Sequence, residues 1–281
     1  MTNSQAWHGD VSSLLNNIYR CADKSSWYGS VIDAYDRTRP RYPAILLDKM
    51  QNIAQLKPGK EVLEIGSGPG IATIELAKLG LNIVAVEPNL SACQLAKQKC
   101  IDYPQVKFVN STFEEWGLEE QKFDAIIATT SFHWVTPEVR MKKTASALKD
   151  DGYLVLLWNT PPQPSYEVAQ ELTPIYQTHA PELAPQEDLQ NHQKNIGKFG
   201  REIIDSGYYQ DLVREQIICQ VSYTVDEYLT LLTTLSSFIR LESSSRNTLL
   251  AELKQVLGSS YGDRLELFYL SMFQIASKSL Y

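Results

Sequence analysis

Between residues 60 and 160 the chain alternates short, β-rich apolar runs with longer segments of helical spacing. "EVLEI" (61–65) leads into "GSGPG" and then "IATIELAKLG", where Ile71, Ile74, Leu76 and Leu79 recur at helical intervals. "NIVAVE" (82–87) reads as a second strand, and Asn89 offers an N-cap to the helix "LSACQLAKQK". "VKFV" (106–109), "FDAIIAT" (123–129) and "YLVLLW" (153–158) bring the strands to five, with a helix over 137–150 that opens on proline and an acid. Strands apolar almost throughout suit a parallel sheet covered by helices on both faces. After Trp158, "NTPPQP" breaks the pattern. Helical spacing then fills 161–212 and 225–260, and 214–224 and 264–276 read as the last two strands. The expectation is one α/β domain over 1–281, with a core at 60–160. The segment 1–43 and the two helical insertions would cap the strand ends.

Composition works by exclusion. Hydrophobic residues make up 43% and charged residues 21%, the balance of a soluble globular chain. A net charge of -7 argues against a nucleic-acid surface. No run approaches the roughly 20 apolar residues that span a bilayer. The start "MTNSQAWHGDVSSLL" lacks the basic head and long apolar core of a secretory signal. Cys21, Cys93, Cys100 and Cys219 are scattered, with neither a disulfide framework nor metal-ligand spacing. The expected setting is cytoplasmic, as a monomer or weak homo-oligomer, with a small molecule as partner and no metal, membrane or nucleic acid.

The chemistry begins at "LEIGSGPG", where Gly66, Gly68 and Gly70 lie between a strand and a helix. Glycines permit a tight turn and close approach of a ligand to the backbone, and a helix start offers unpaired N–H groups. The spacing G-x-G-x-G brings the third glycine one residue earlier than the dinucleotide fingerprint, which disfavours a nucleotide-dependent oxidoreductase. Glu87 ends the second strand, where a carboxylate can accept hydrogen bonds from ribose hydroxyls. Ligands of such sheets bind beyond the carboxyl ends of the strands.

"VLEIGSGPG", "AVEPN", "FDAIIATTSFHWV" and "LKDDGYLVLLW" together resemble the successive motifs of class I S-adenosylmethionine-dependent methyltransferases. The likeness is to the small-molecule branch, methyltransferase type 11, that includes trans-aconitate methyltransferase-like enzymes. It is specific over roughly residues 28 to 160. The resemblance implies a Rossmann-like doubly wound sheet of seven strands, mostly parallel with the last antiparallel, and S-adenosyl-L-methionine as cofactor. It also implies that Gly66, Ser67, Gly68 and Gly70 wrap the methionine part while Glu64 fixes the amino-acid end. Glu87, with Pro88 beside it, would take the ribose; Thr112 and Phe113 would line the adenine pocket; Thr129 and Thr130 would leave their strand beside the cofactor. A non-catalytic S-adenosylmethionine-binding module is the rival reading.

For the methyl acceptor, "YDRTRPRYP" sets Arg37, Arg39 and Arg41 at alternating positions. In an extended chain they would share a face and could clamp a carboxylate, so an acidic acceptor is one expectation. The motif is similar to a family segment that closes over the cofactor, which singles out Arg39 and Tyr35. Thr234 and Ser237 could line a pocket from a later helix, although such hydroxyls more often bond their own backbone. His133 and Trp134 in "SFHWV" stand at the binding edge. There a histidine can act as a base, but a wall that positions the acceptor is the favoured role for this pair.

Overall fold

The computed structural model describes residues 28–183 and 189–280. Most of the expected N-terminal segment, residues 1–27 with Cys21, lies outside the described residues, as do 184–188 within the first insertion. Helices α1 (Ile32–Thr38) and α2 (Ala44–Ile53) lead into β1 (Glu61–Ile65), α3 (Ile71–Lys78), β2 (Asn82–Val86), α4 (Leu90–Lys99), β3 (Val106–Val109) and β4 (Phe123–Thr129). A short 3-10 turn, Phe132–Trp134, precedes α5 (Pro137–Ala147), β5 (Leu148–Asn159) and the two-residue β6 (Gln163–Pro164). The remainder comprises α6 (Tyr166–His179), a 3-10 turn at Pro181–Leu183, α7 (Leu189–Asp205), β7 (Tyr209–Thr224), α8 (Val225–Thr233), α9 (Ser236–Ile239), α10 (Ser243–Tyr261) and β8 (Arg264–Lys278).

The strands form one sheet in the order β3-β2-β1-β4-β5-β8-β6, with β7 paired to β8. β1 to β5 run parallel, and β8 is antiparallel to both β5 and β7. This is the expected α/β Rossmann-like arrangement with an antiparallel last strand. Among the described residues β6 makes it eight strands rather than seven, because the proline-rich stretch after β5 runs extended beside Leu267 and Phe268. The buried side chains of the parallel strands divide by strand periodicity. Ile126, Leu154 and Leu156 join one apolar cluster, and Val62, Ala125, Ile127, Val155 and Leu157 join a second on the opposite face. A third cluster lies in the cap, where Leu172, Leu231, Leu249, Leu253 and Leu257 from α6, α8 and α10 meet the start of β8.

Three boundaries differ from expectation for identifiable reasons. The helix over 137–150 stops at Ala147, because Leu148 turns extended and is fully buried against the sheet. β7 begins at Tyr209 rather than 214, with a register shift between Gln210 and Val213 where Asp211 adopts φ 54°. A bulge of this kind leaves no hydrophobic alternation to read. The helical segment 225–260 divides into three helices. α8 starts on a reciprocal cap between Thr224 and Glu227, and the chain breaks again at Thr234 and at Leu241–Glu242.

Candidate functional site

At the carboxyl ends of β1, β4 and β5 the chain forms a partly open cleft. It is lined by the glycine loop from Gly66 to Pro69, by Thr129 and Thr130 after β4, by Asn159 and Thr160 after β5, and by Tyr35, Arg39 and Tyr42 from above. The loop's form is forced by its sequence. Gly66, Gly68 and Gly70 have φ of 68°, 54° and 80°, values that side chains rarely adopt. A Cβ on Gly66 would stand 2.5 Å from the Cβ of Ser131, whereas a Cβ on Gly68 would meet open space. Close packing explains the first glycine, and only backbone conformation and ligand approach explain the second.

Two carboxylates lie under this loop. Glu64 on β1 has no solvent exposure. It accepts hydrogen bonds from Thr73 Oγ1 at 2.6 Å and, more weakly, Thr129 Oγ1 at 3.5 Å. Burial, opposed by these hydroxyls, raises its pKa to about 7. Glu87 accepts the Gly68 N–H on Oε2 and the Asn89 N–H on Oε1, each at 2.8 Å. Burial raises its pKa too, and the two N–H groups pull it back. Ser67 Oγ is buried and has no hydrogen-bond partner. An orphaned hydroxyl beside two buried carboxylates suits a ligand that brings both hydrogen bonds and positive charge.

The arginines part company. Arg37 sits in the last turn of α1, so the extended three-arginine face does not form. The prolines that argued against a helix act only from residue 40 onward. Arg41 is exposed and bonds Asp36 at 3.2 Å. Arg39 alone of the three lines the cleft, stacked over the Tyr35 ring at 4.6 Å. Its Nε and Nη2 donate to Thr234 Oγ1 at 3.2 Å and Thr234 O at 3.0 Å. Thr234 is therefore where the cap clasps the N-terminal segment, and its hydroxyl also donates to Leu231 O. Ser237 is not among the residues lining the cleft.

His133 and Trp134 stand one layer away, outside the cleft lining. The His133 ring lies 5.0 Å from Trp134 and 5.7 Å from Trp158, and Trp158 stacks on Phe199 at 5.0 Å. Trp134 meets Tyr28, which meets Tyr35, through edge contacts of 6.1 and 5.8 Å. Burial, aided by Arg140, lowers the His133 pKa to about 4, and its Nδ1 has no partner. At neutral pH the ring is uncharged and weakly basic. Thr112 bonds Glu115, and Phe113 is buried in the core against Trp116, so neither side chain reaches the cleft. Pro88 is exposed at the end of β2. Among the described residues no cluster of potential metal ligands occurs, and no helix is long and apolar enough to cross a membrane.

Sequence reasoning missed Tyr42, Asn159 and Thr160, whereas Thr130 lines the cleft beside Thr129. Tyr42 Oη and Thr130 Oγ1 are 3.0 Å apart, and Thr130 Oγ1 accepts the Asn159 N–H at 3.1 Å. The available signal was a polar residue just past the end of the apolar run, in "LWNT".

Comparison with known proteins adds a family model and relatives. Residues 63–156 match the model of a methyltransferase domain. An uncharacterized methyltransferase of Mycobacterium tuberculosis is 33% identical over 138 residues, covering 49% of this chain and 54% of the relative. Thus the match spans about half the length of that curated relative. An uncharacterized methyltransferase of Schizosaccharomyces pombe is 22% identical over 224 residues, covering 79% of this chain and 84% of the relative. In fold, the chain is similar to a type II methyltransferase structure from Anaeromyxobacter dehalogenans, with 19% identity, a TM-score of 0.59 and coverage of 85% and 97%. It is also similar to Haemonchus contortus phosphoethanolamine N-methyltransferase 2 solved with S-adenosyl-L-methionine, with 16% identity, a TM-score of 0.54 and coverage of 93% and 60%. Residues 63–156 of this chain are thus similar to a methyltransferase domain, and the whole is built on a Rossmann-like sheet.

Proposed function

We propose that the chain transfers the methyl group of S-adenosylmethionine to a small-molecule acceptor at the cleft beyond β1, β4 and β5. The observation that carries this reading is the left-handed glycine loop over Glu64 and Glu87, with Ser67 Oγ buried and unpartnered. When bound, the cofactor supplies an electrophilic methyl carbon on a positively charged sulfur. Glu64, Gly66, Ser67 and Gly70 would hold its amino-acid end. Glu87 already spends one lone pair of each oxygen on backbone N–H groups and keeps others for ribose hydroxyls. Tyr35 and Arg39 roof the cleft, and Arg39 keeps an Nη1 fork arm for the cofactor carboxylate.

The protein's own contribution to rate is then orientation and exclusion of water rather than proton removal. A histidine with pKa near 4, outside the cleft lining, fits packing behind the cleft better than a base. The acidic acceptor loses its main support with Arg37 in a helix and Arg41 paired to Asp36. Calorimetric titration with S-adenosylmethionine and with NAD is the direct test. Micromolar binding of the first and none of the second is expected, followed by methyl release over a panel of small acids, amines and alcohols. Binding without release from any acceptor would favour a non-catalytic binding module, and preference for NAD would overturn the proposal.

A further inference from the structure

Asn159, just inside the carboxyl end of β5, is 8% exposed and lines the cleft. Its amide orientation is settled by its partners. Nδ2 donates to Pro40 O at 3.1 Å and Arg41 O at 3.3 Å, and the reverse flip would set three carbonyl oxygens against one another. That leaves Oδ1 buried and without a partner. A buried amide oxygen left unpaired is costly, so its place in the cleft calls for a donor from the ligand. The surroundings support the same conclusion. Thr130, a β-branched residue, is held at φ 53° so that its Oγ1 receives both the Asn159 N–H and the Tyr42 hydroxyl contact. Strain of this kind persists only where the surrounding structure enforces it. Arg39, the one basic residue lining the cleft among the described residues, is engaged by Thr234.

We infer that Asn159 Oδ1 is a specificity-determining contact that accepts a hydrogen bond from an N–H or O–H group of the methyl acceptor. This rests on the methyltransferase reading and narrows its substrate class. An ionised carboxylate at that point would face an acceptor-only oxygen, and the one cation of the lining among the described residues, Arg39, is committed to Thr234 and the cofactor carboxylate, so amines, amides and alcohols are favoured over acids.

The test uses three matched probes, phenethylamine, phenylacetamide and phenylacetate, with protein saturated in S-adenosylhomocysteine. Binding of the amine or amide at least tenfold tighter than the carboxylate is expected. Asn159→Leu should collapse that ratio to within threefold while S-adenosylhomocysteine affinity holds. Because the substitution also frees the Pro40–Arg41 strap, Tyr269→Phe serves as control. It removes a 3.3 Å bond to Arg41 O from outside the cleft and should leave the ratio unchanged. Tighter carboxylate binding, a ratio unchanged in Asn159→Leu, or a ratio lost equally in Tyr269→Phe would each overturn the inference. Absence of S-adenosylhomocysteine binding in the unsubstituted protein would instead sink the methyltransferase reading.

Discussion

At the scale of the residue, Glu64 shows what burial does to a charge. Its pKa of about 7 compares with a reference of 4.5, so the folded chain keeps a proton that the unfolded chain releases between those values. Folding is favoured by this group below pH 4.5, and that contribution is lost as pH rises through 7, at a cost of about 3 kcal/mol. Glu64→Gln should therefore melt above the wild type at pH 8, by a margin that vanishes towards pH 4.5; a margin independent of pH would refute the assignment. His133 runs the other way. Its pKa of about 4 lies below the reference of 6.5, so stability is full above pH 6.5 and falls as pH drops towards 4. In His133→Gln that acid loss should shrink, and methyl transfer above pH 6.5 should keep the shape of its pH profile. A profile that loses an inflection would restore the histidine as a base.

Among the elements, the glycine loop separates packing from conformation. Gly66→Ala adds a methyl that collides with Ser131, on top of a left-handed φ, and should cost about 3 kcal/mol or more in urea denaturation. Gly68→Ala meets no atom and should cost only about 1–2 kcal/mol, the price of its φ. Equal losses would show that the loop's geometry alone decides. The strands of the core were legible because each apolar run is bounded by glycine, proline or a polar cap, as in "EVLEI" before Gly66. β7 was legible only in part, since the Asp211 bulge interrupts its alternation, and β6 is too short to leave a pattern. On the site, Glu64, Glu87 and the glycines carried their own signal. Asn159 did not, because its importance comes from bonds to residues 29 and 119 positions away. The arginine face does not form because a helical turn carrying Arg37 precedes Pro40, and no proline acts on that turn.

Over the whole molecule, the two ends of the sheet are divided between structure and site. At the end opposite the cleft, Asp124 accepts from Lys60 at 2.8 Å, Lys149 at 2.9 Å and the Glu61 N–H at 2.8 Å, tying β1, β4 and β5 together. Burial pushes its pKa up, but these partners outweigh it and hold the carboxylate below its usual value. Its stabilisation is present above the unfolded pKa near 3.8 and lost as pH falls below it. Asp124→Asn should thus lower stability by about 1–2 kcal/mol at pH 7 and leave ligand affinity at the distant cleft unchanged. A drop in affinity of tenfold would show that the two ends communicate. The string of rings from Tyr35 through Tyr28, Trp134 and His133 to Trp158 and Phe199 runs from the cleft roof into the core. Two of its members are indoles, and one end of it touches whatever fills the cleft. The fold therefore carries its own optical gauge: ligand docking against Tyr35 should shift the emission of Trp134 without any attached dye, and Trp134→Phe should silence most of that signal.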